Sequence, residues 1–224
     1  MPDLQLVIFD CDGVLVDSED ISNDVLARML TEEGLATTLA QARSAYQGLL
    51  LGDVLAAAEA RLGRRLPVGW LERYERERED AFRSGLQAVA GAAAAVRAVT
   101  AAGVGVCVAS QGKLAKTRLS LALTGLSDLF CEHALFSAEQ VARGKPHPDL
   151  FLHAARAMGA PPGRCAVVED TPSGVTAAVR AGMRAIGYAA DSDQAALALA
   201  GAEVVHTLDA LAGLLGLDAA QRSG

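Results

Sequence analysis

Residues 4–18 read LQLVIFDCDGVLVDS. The run Leu4–Phe9 is short, apolar and rich in branched and aromatic residues, and it stops on the cluster Asp10-Cys11-Asp12-Gly13. A run of this kind is a strand buried on both faces, as strands of parallel sheets are. Its C-terminal end carries two carboxylates to one place. Working outward, Val104–Ala109 is a second such run and ends at Ser110-Gln111-Gly112. Cys165–Val168 is a third, ending at Glu169-Asp170-Thr171, and Ala185–Tyr188 is a fourth. His133–Phe136 and Glu203–Val205 are weaker candidates. Helical patterns over 91–102, 112–124, 147–158, 172–182 and 207–216 separate the runs, and Gly103, Gly125, Gly159 and Gly182 stop them. Strands alternating with helices predict an α/β, Rossmann-like parallel sheet with helices on both faces.

The interval after the first strand is different. Four helical patterns, Ser22–Glu33, Leu39–Gln47, Asp53–Leu62 and Val68–Phe82, occupy it without a convincing strand. Nearly seventy residues are too many for a loop. The expected organisation is an α/β core of residues 1–16 and 86–224 with an inserted helical cap of residues 17–85. The cap is expected over the C-terminal edge of the sheet, where open α/β sheets bind ligands. The charged stretch RYERERED at 73–80 reads as a solvated helix face, and Trp70 and Tyr74, four apart, as packing.

Composition narrows the function. The chain has 224 residues, half of them hydrophobic (51%), so one domain with an insertion can bury a full core. Its net charge of −7 argues against a nucleic-acid partner. Only three of its 20 basic residues are lysines: Lys113, Lys116 and Lys145. The cysteines (Cys11, Cys107, Cys131 and Cys165) form no CxxC pair and no zinc-spaced cluster, which suits reduced thiols in a cytoplasmic protein. Asp3 and Gln5 interrupt any secretory pattern at the start. The Ala/Gly-rich stretch 88–109 contains Arg97 and breaks at Gly103, so no membrane association is expected. A chain of this size and acidity suits a monomer.

A parallel sheet brings Asp10, Asp12, Ser110, Glu169 and Asp170 to one edge, and Lys145 lies in the turn Gly144-Lys145-Pro146 before a helix. Converging carboxylates repel one another, and a divalent cation relieves the conflict; hard oxygen donors suit Mg²⁺. A carboxylate beside such an ion can attack phosphorus without a general base, since it is already ionised near neutrality. Lys145 would add positive charge, and Ser110 with nearby N–H groups would hold the phosphoryl oxygens. A second carboxylate, Asp12, can act as acid and then base if its pKa is raised. A calcium loop is excluded because Val14-Leu15-Val16 follows Gly13 where acidic ligands would be needed. His147 reads as structural at its turn, and His133, His153 and His206 show no constellation.

Asp10-Cys11-Asp12-Gly13-Val14-Leu15-Val16-Asp17-Ser18, Ser110, Gly144-Lys145-Pro146 and Glu169-Asp170 resemble, in order, the four motifs of the haloacid dehalogenase superfamily. The likeness is closer to the subgroup with a helical cap after the first strand, which includes β-phosphoglucomutases, phosphoglycolate phosphatases and sugar-phosphate phosphatases. The cap pattern is similar to that of bacterial 6-phosphogluconate phosphatases. The resemblance implies that Asp10 is the nucleophile, forming an aspartyl-phosphate, and a Mg²⁺ ligand. It implies that Asp12 is the acid/base and offers its backbone carbonyl to the metal. Ser110, Gln111 and Lys145 are implied phosphate binders, with Lys113 a further candidate. Asp170 is an implied metal ligand, and Glu169 either a second ligand or its support. A loop near Gly48–Asp53, with Leu49, Leu50 and Leu51, is the implied substrate selector.

Departures from the family's variants are informative. The dehalogenases lack the acidic residue at Asp12, so an oxygen leaving group is favoured here. Residues 17–85 contain no lysine, which excludes the Schiff base of the phosphonate-cleaving members. The mutases carry a cap His where this chain has Ser22 and a cap Arg where it has Leu51. The expected function is a Mg²⁺-dependent phosphatase for a small sugar or sugar-acid phosphate. The alternatives are a phosphosugar mutase and a catalytically silent metabolite-binding protein.

Overall fold

The computed structural model describes residues 4–46, 49 and 51–217. It divides into two compact units, Met1–Val16 with Ala88–Gly224, and Asp17–Gln87. The first unit is built on strands β1 (Leu6–Phe9), β2 (Gly105–Ser110), β3 (Leu135–Ser137), β4 (Cys165–Glu169), β5 (Arg184–Tyr188) and β6 (Glu203–Val205). They form one parallel sheet in the order β3-β2-β1-β4-β5-β6. This is the Rossmann-like α/β architecture the sequence predicts. β1 sits at the centre with every residue buried, which explains its lack of a polar face. The chain leaves β1 toward β2 on one side and returns as β4 on the other, so the C-terminal ends of β1 and β4 flank the switch point where such sheets bind ligands.

The second unit contains α1 (Glu19–Glu32), α2 (Leu39–Tyr46), α3 (Leu51–Leu62) and α4 (Trp70–Gly85). It has its own core, in which Val25, Met29, Leu30, Tyr46 and Tyr74 are buried together. Trp70 and Tyr74 stack with ring centroids 6.1 Å apart. The charged face of α4 is only partly solvated. Arg73 and Glu77 pair with Glu32 and Arg28 of α1. Arg78, however, is buried between the rings of Tyr74 and Phe82, one turn away on either side, at 5.2 and 5.8 Å. A guanidinium gains cation–π attraction there that water would otherwise replace.

Among the described residues, five helices follow α5 (Ala92–Ala101) in the first unit: α6 (Leu114–Leu123), α7 (Asp149–Ala157), α8 (Pro172–Arg180), α9 (Gln194–Leu199) and α10 (Leu211–Leu215). The predicted stop glycines Gly103, Gly125, Gly159 and Gly182 all have positive φ near 70–77°. After Gly159 and Gly182 the next N–H closes a six-residue bond onto the helix, Ala160 to Ala155 and Met183 to Ala178, the C-terminal cap that glycine permits. No helix among the described residues is long and apolar enough to cross a membrane.

Candidate active site

The ladder of β1 continues one residue beyond the strand. Asp10 N–H donates to Val168 O at 2.9 Å, which holds Asp10 beside the end of β4. The chain then turns sharply, with Leu15 and Val16 N–H both donating to Cys11 O. Val14, Leu15 and Val16 are fully buried and anchor this turn. Gly13 sits in it at φ +74°, and a Cβ there would overlap the Asp170 carboxylate. Glycine is therefore needed twice over, for backbone conformation and for the close approach of a carboxylate.

Three carboxylates gather at the switch point. The oxygens of Asp10, Glu169 and Asp170 lie within 4.8 Å of one another, all buried. Lys145 Nζ is 2.8 Å from Asp10 Oδ1 and 2.5 Å from Glu169 Oε1. The ammonium also lies 5.1 Å from the centre of the Phe151 ring. Burial pushes the Asp10 carboxyl from 3.8 up to about 7; Lys145 opposes the shift, while Glu169 and Asp12 add to it. Burial would lower Lys145, but the charges of Asp10 and Glu169 outweigh it and raise its pKa well above the ordinary lysine value. Lys145 thus meets two carboxylates, Asp10 and Glu169.

Glu169 is held from two sides. Its Oε2 accepts from Thr171 N at 3.1 Å and Thr171 Oγ1 at 2.8 Å, while Oε1 faces Lys145. Thr171 in turn caps α8, accepting from Gly174 N at 3.0 Å. A Cβ on Gly174 would overlap the Glu169 carboxylate, so helix start and carboxylate are packed as one piece. Three buried carboxylates with one ammonium between two of them retain net negative charge. An all-oxygen, buried set of this kind fits a hard divalent cation such as Mg²⁺, with Asp10, Asp170 and Glu169 as the residues able to hold it.

Ser110 ends β2, fully buried, and its Oγ accepts from Gly112 N at 3.0 Å. The turn after it is braced by Ser137 Oγ donating to Gly112 O at 2.7 Å and by Leu114 N–H donating to Glu139 Oε2 at 3.0 Å. Gln111 is placed otherwise than a simple phosphate contact. Its Oε1 accepts from Lys145 N at 3.0 Å, and its amide lies where a Cβ on Gly144 would be, so it fixes the backbone that carries the lysine. Lys113 is exposed at the N-cap of α6. Lys116 is the lysine of that segment that reaches the site: it is buried, and its Nζ pairs with Asp12 Oδ1. The sequence held a signal for it, since two of only three lysines fall within six residues of Ser110, but of the two it is Lys113 that is singled out from sequence.

The substrate-selecting segment is only partly described. Leu50 lies outside the described residues. Leu49 is exposed, and Leu51 is no loop residue: it opens α3 and packs against the core of the helical unit. An apolar residue at a helix start gains more from that packing than from facing water.

Comparison with known proteins agrees with this geometry. A family model described as haloacid dehalogenase-like hydrolase matches residues 4–182. The 6-phosphogluconate phosphatase of Escherichia coli is 32% identical over 192 residues, covering 85% of each chain. The β-phosphoglucomutase of Mycobacterium bovis is 42% identical over 132 residues, covering 55% of this chain and 48% of its own. Among solved structures, a haloacid dehalogenase family hydrolase from Deinococcus radiodurans with bound phosphate and sodium superposes with a TM-score of 0.80 at 33% identity, covering 96% of both chains.

Proposed function

The chain belongs to the haloacid dehalogenase-like hydrolase family and is a phosphoric monoester hydrolase; on that premise we propose that it is a Mg²⁺-dependent phosphatase of a small sugar or sugar-acid phosphate, acting through an aspartyl-phosphate. The observation that carries the reading is the Asp10–Lys145 pair at 2.8 Å inside the buried carboxylate cluster. A carboxylate whose partner ammonium is already in place can meet an anionic phosphoryl group without facing its charge alone.

Asp10 attacks phosphorus; the Asp10 O–P bond forms and the bond from phosphorus to the sugar oxygen breaks. Asp12 gives its proton to that leaving oxygen. Asp12 then takes a proton from water, whose oxygen attacks phosphorus and releases Asp10 and inorganic phosphate. Lys145, with Ser110 and the N–H groups of its turn, holds the phosphoryl oxygens. Mg²⁺, when bound, supplies neutralising charge at those oxygens. Asp10 and Asp170, with the Asp12 carbonyl, would hold it in this reading. Glu169 supports them, since Lys145 and Thr171 engage both of its oxygens. The helical unit serves as the cap, and the 48–53 segment selects the substrate.

The β-phosphoglucomutase relative keeps a second reading in view, a phosphosugar mutase. Ser22 and Leu51 stand against it, where mutases carry a histidine and an arginine. A panel of 6-phosphogluconate, hexitol phosphates, phosphoglycolate and glucose 1-phosphate with Mg²⁺ separates the two. The expected result is free phosphate, greatest from the sugar or sugar-acid phosphates and abolished by chelation. Conversion of glucose 1-phosphate to the 6-phosphate with little free phosphate would establish the mutase instead.

A further inference from the structure

Lys116 is the second buried lysine of the site, and no step above uses it. It stands in the first turn of α6, and its stem runs over the turn that follows Ser110: a Cβ on Gly112 would lie 3.3 Å from Lys116 Cδ, 3.7 Å from Nζ and 3.4 Å from Ser110 Oγ. The ammonium pairs with Asp12 Oδ1 across 104 residues of sequence. The lysine side chain is 8% exposed and that of Asp12 21%. One partner is thus fixed by a helix and a packed turn, while the other is reached by water. An aspartate in that position has rotamers to choose from, and a buried cation at one fixed point selects among them.

We propose that Lys116 is the positioning residue for Asp12: it holds the carboxylate in the orientation from which it protonates the leaving oxygen and then deprotonates water. The inference rests on the acid/base reading of Asp12. It gives the two buried lysines separate tasks. Lys145 serves the nucleophile, and Lys116 serves the acid/base. Proton transfer is steep in geometry, so a loosened Asp12 loses rate even though it remains present.

A double-mutant cycle on kcat and KM, with p-nitrophenyl phosphate and 6-phosphogluconate as substrates, tests it. Asp12→Asn is expected to lower kcat about 10²–10⁴-fold. Lys116→Met is expected to lower kcat about 10–100-fold with little change in KM, by analogy with the loss of other supporting partners. In the Asp12→Asn background, Lys116→Met should cost nothing further, since its whole effect runs through Asp12. Lys116→Arg should recover most of the loss. Full additivity of the two substitutions, or a raised KM with kcat unchanged, would overturn the assignment and make Lys116 a structural or substrate-contacting residue. If Lys116→Met lowers the melting temperature below the assay range, Lys116→Gln carries the same cycle. An undiminished kcat in Asp12→Asn would instead overturn the acid/base reading itself, and the proposal with it.

Discussion

Asp10→Asn releases phosphate from any monoester at least about 10⁴-fold more slowly than the wild type, while the protein stays folded. The loss follows from the chemistry, because an amide oxygen does not form the aspartyl-phosphate and no neighbouring group replaces it. The retained fold follows from the environment. Asp10 is one of three clustered buried carboxylates, and burial with its acidic neighbours already penalises its charge. Asparagine keeps the shape and the acceptor facing Lys145 and removes one of the mutually repelling charges. In metal-free buffer the melting temperature of the variant should therefore equal or exceed that of the wild type. Addition of Mg²⁺ should raise the wild-type melting temperature and raise that of the variant much less, because a ligand stabilises in proportion to its affinity for the folded state. Thermal melts with and without chelator, run beside phosphate release, check both halves.

Lys145→Met is the second large effect, and it differs in kind because it damages fold and activity together. The ammonium is buried against Asp10, Glu169 and the Phe151 ring. Its raised pKa means that its contribution to stability is fully present at neutral pH and is lost only as pH rises through the folded-state value. Removing one partner of a buried pair costs about 3–5 kcal/mol, because the other charges stay behind unpaired. Activity should fall about 10²–10³-fold, the usual cost of losing a donor aimed at a charged transition state. Mg²⁺ should recover stability more than rate, since it neutralises the carboxylates without replacing a donor to the phosphoryl group. Lys145→Arg should rescue little, because a planar fork does not fit a pocket closed by two carboxylates and a ring. Melting temperature and kcat measured over a Mg²⁺ titration separate the two contributions.

Much of this site was readable from the residues because its parts stand at strand ends. Asp10, Ser110 and Glu169-Asp170 each follow an apolar run, and a parallel sheet leaves one edge on which they meet. Stop glycines made the intervening helices legible for the same local reason. What escaped was mostly short or long-range. Helix α9 has six residues, too few for periodicity, although Asp193 caps it by accepting from Ala195 and Ala196 N–H. The third strand begins at Leu135, later than its pattern suggested, because residues 132–134 tighten into a 3₁₀ turn. Arg78 lies in a run of charges that reads as solvated, yet it stands four residues from both Tyr74 and Phe82 and shares their buried helix face. The pairing of Lys116 with Asp12, and of Gln111 with the backbone of Lys145, joins segments far apart in sequence. No local pattern encodes such contacts.

The central claim is that Asp10 carries the phosphoryl group. It is tested most directly by quenching the Mg²⁺-loaded enzyme in acid during turnover of a ³²P-labelled sugar phosphate and mapping the labelled peptide. The account predicts one hydroxylamine-sensitive acyl phosphate on Asp10, present in wild type and absent in Asp10→Asn. Label on another residue, or phosphate release by the wild type with no covalent label in either the wild type or Asp12→Asn, would contradict it.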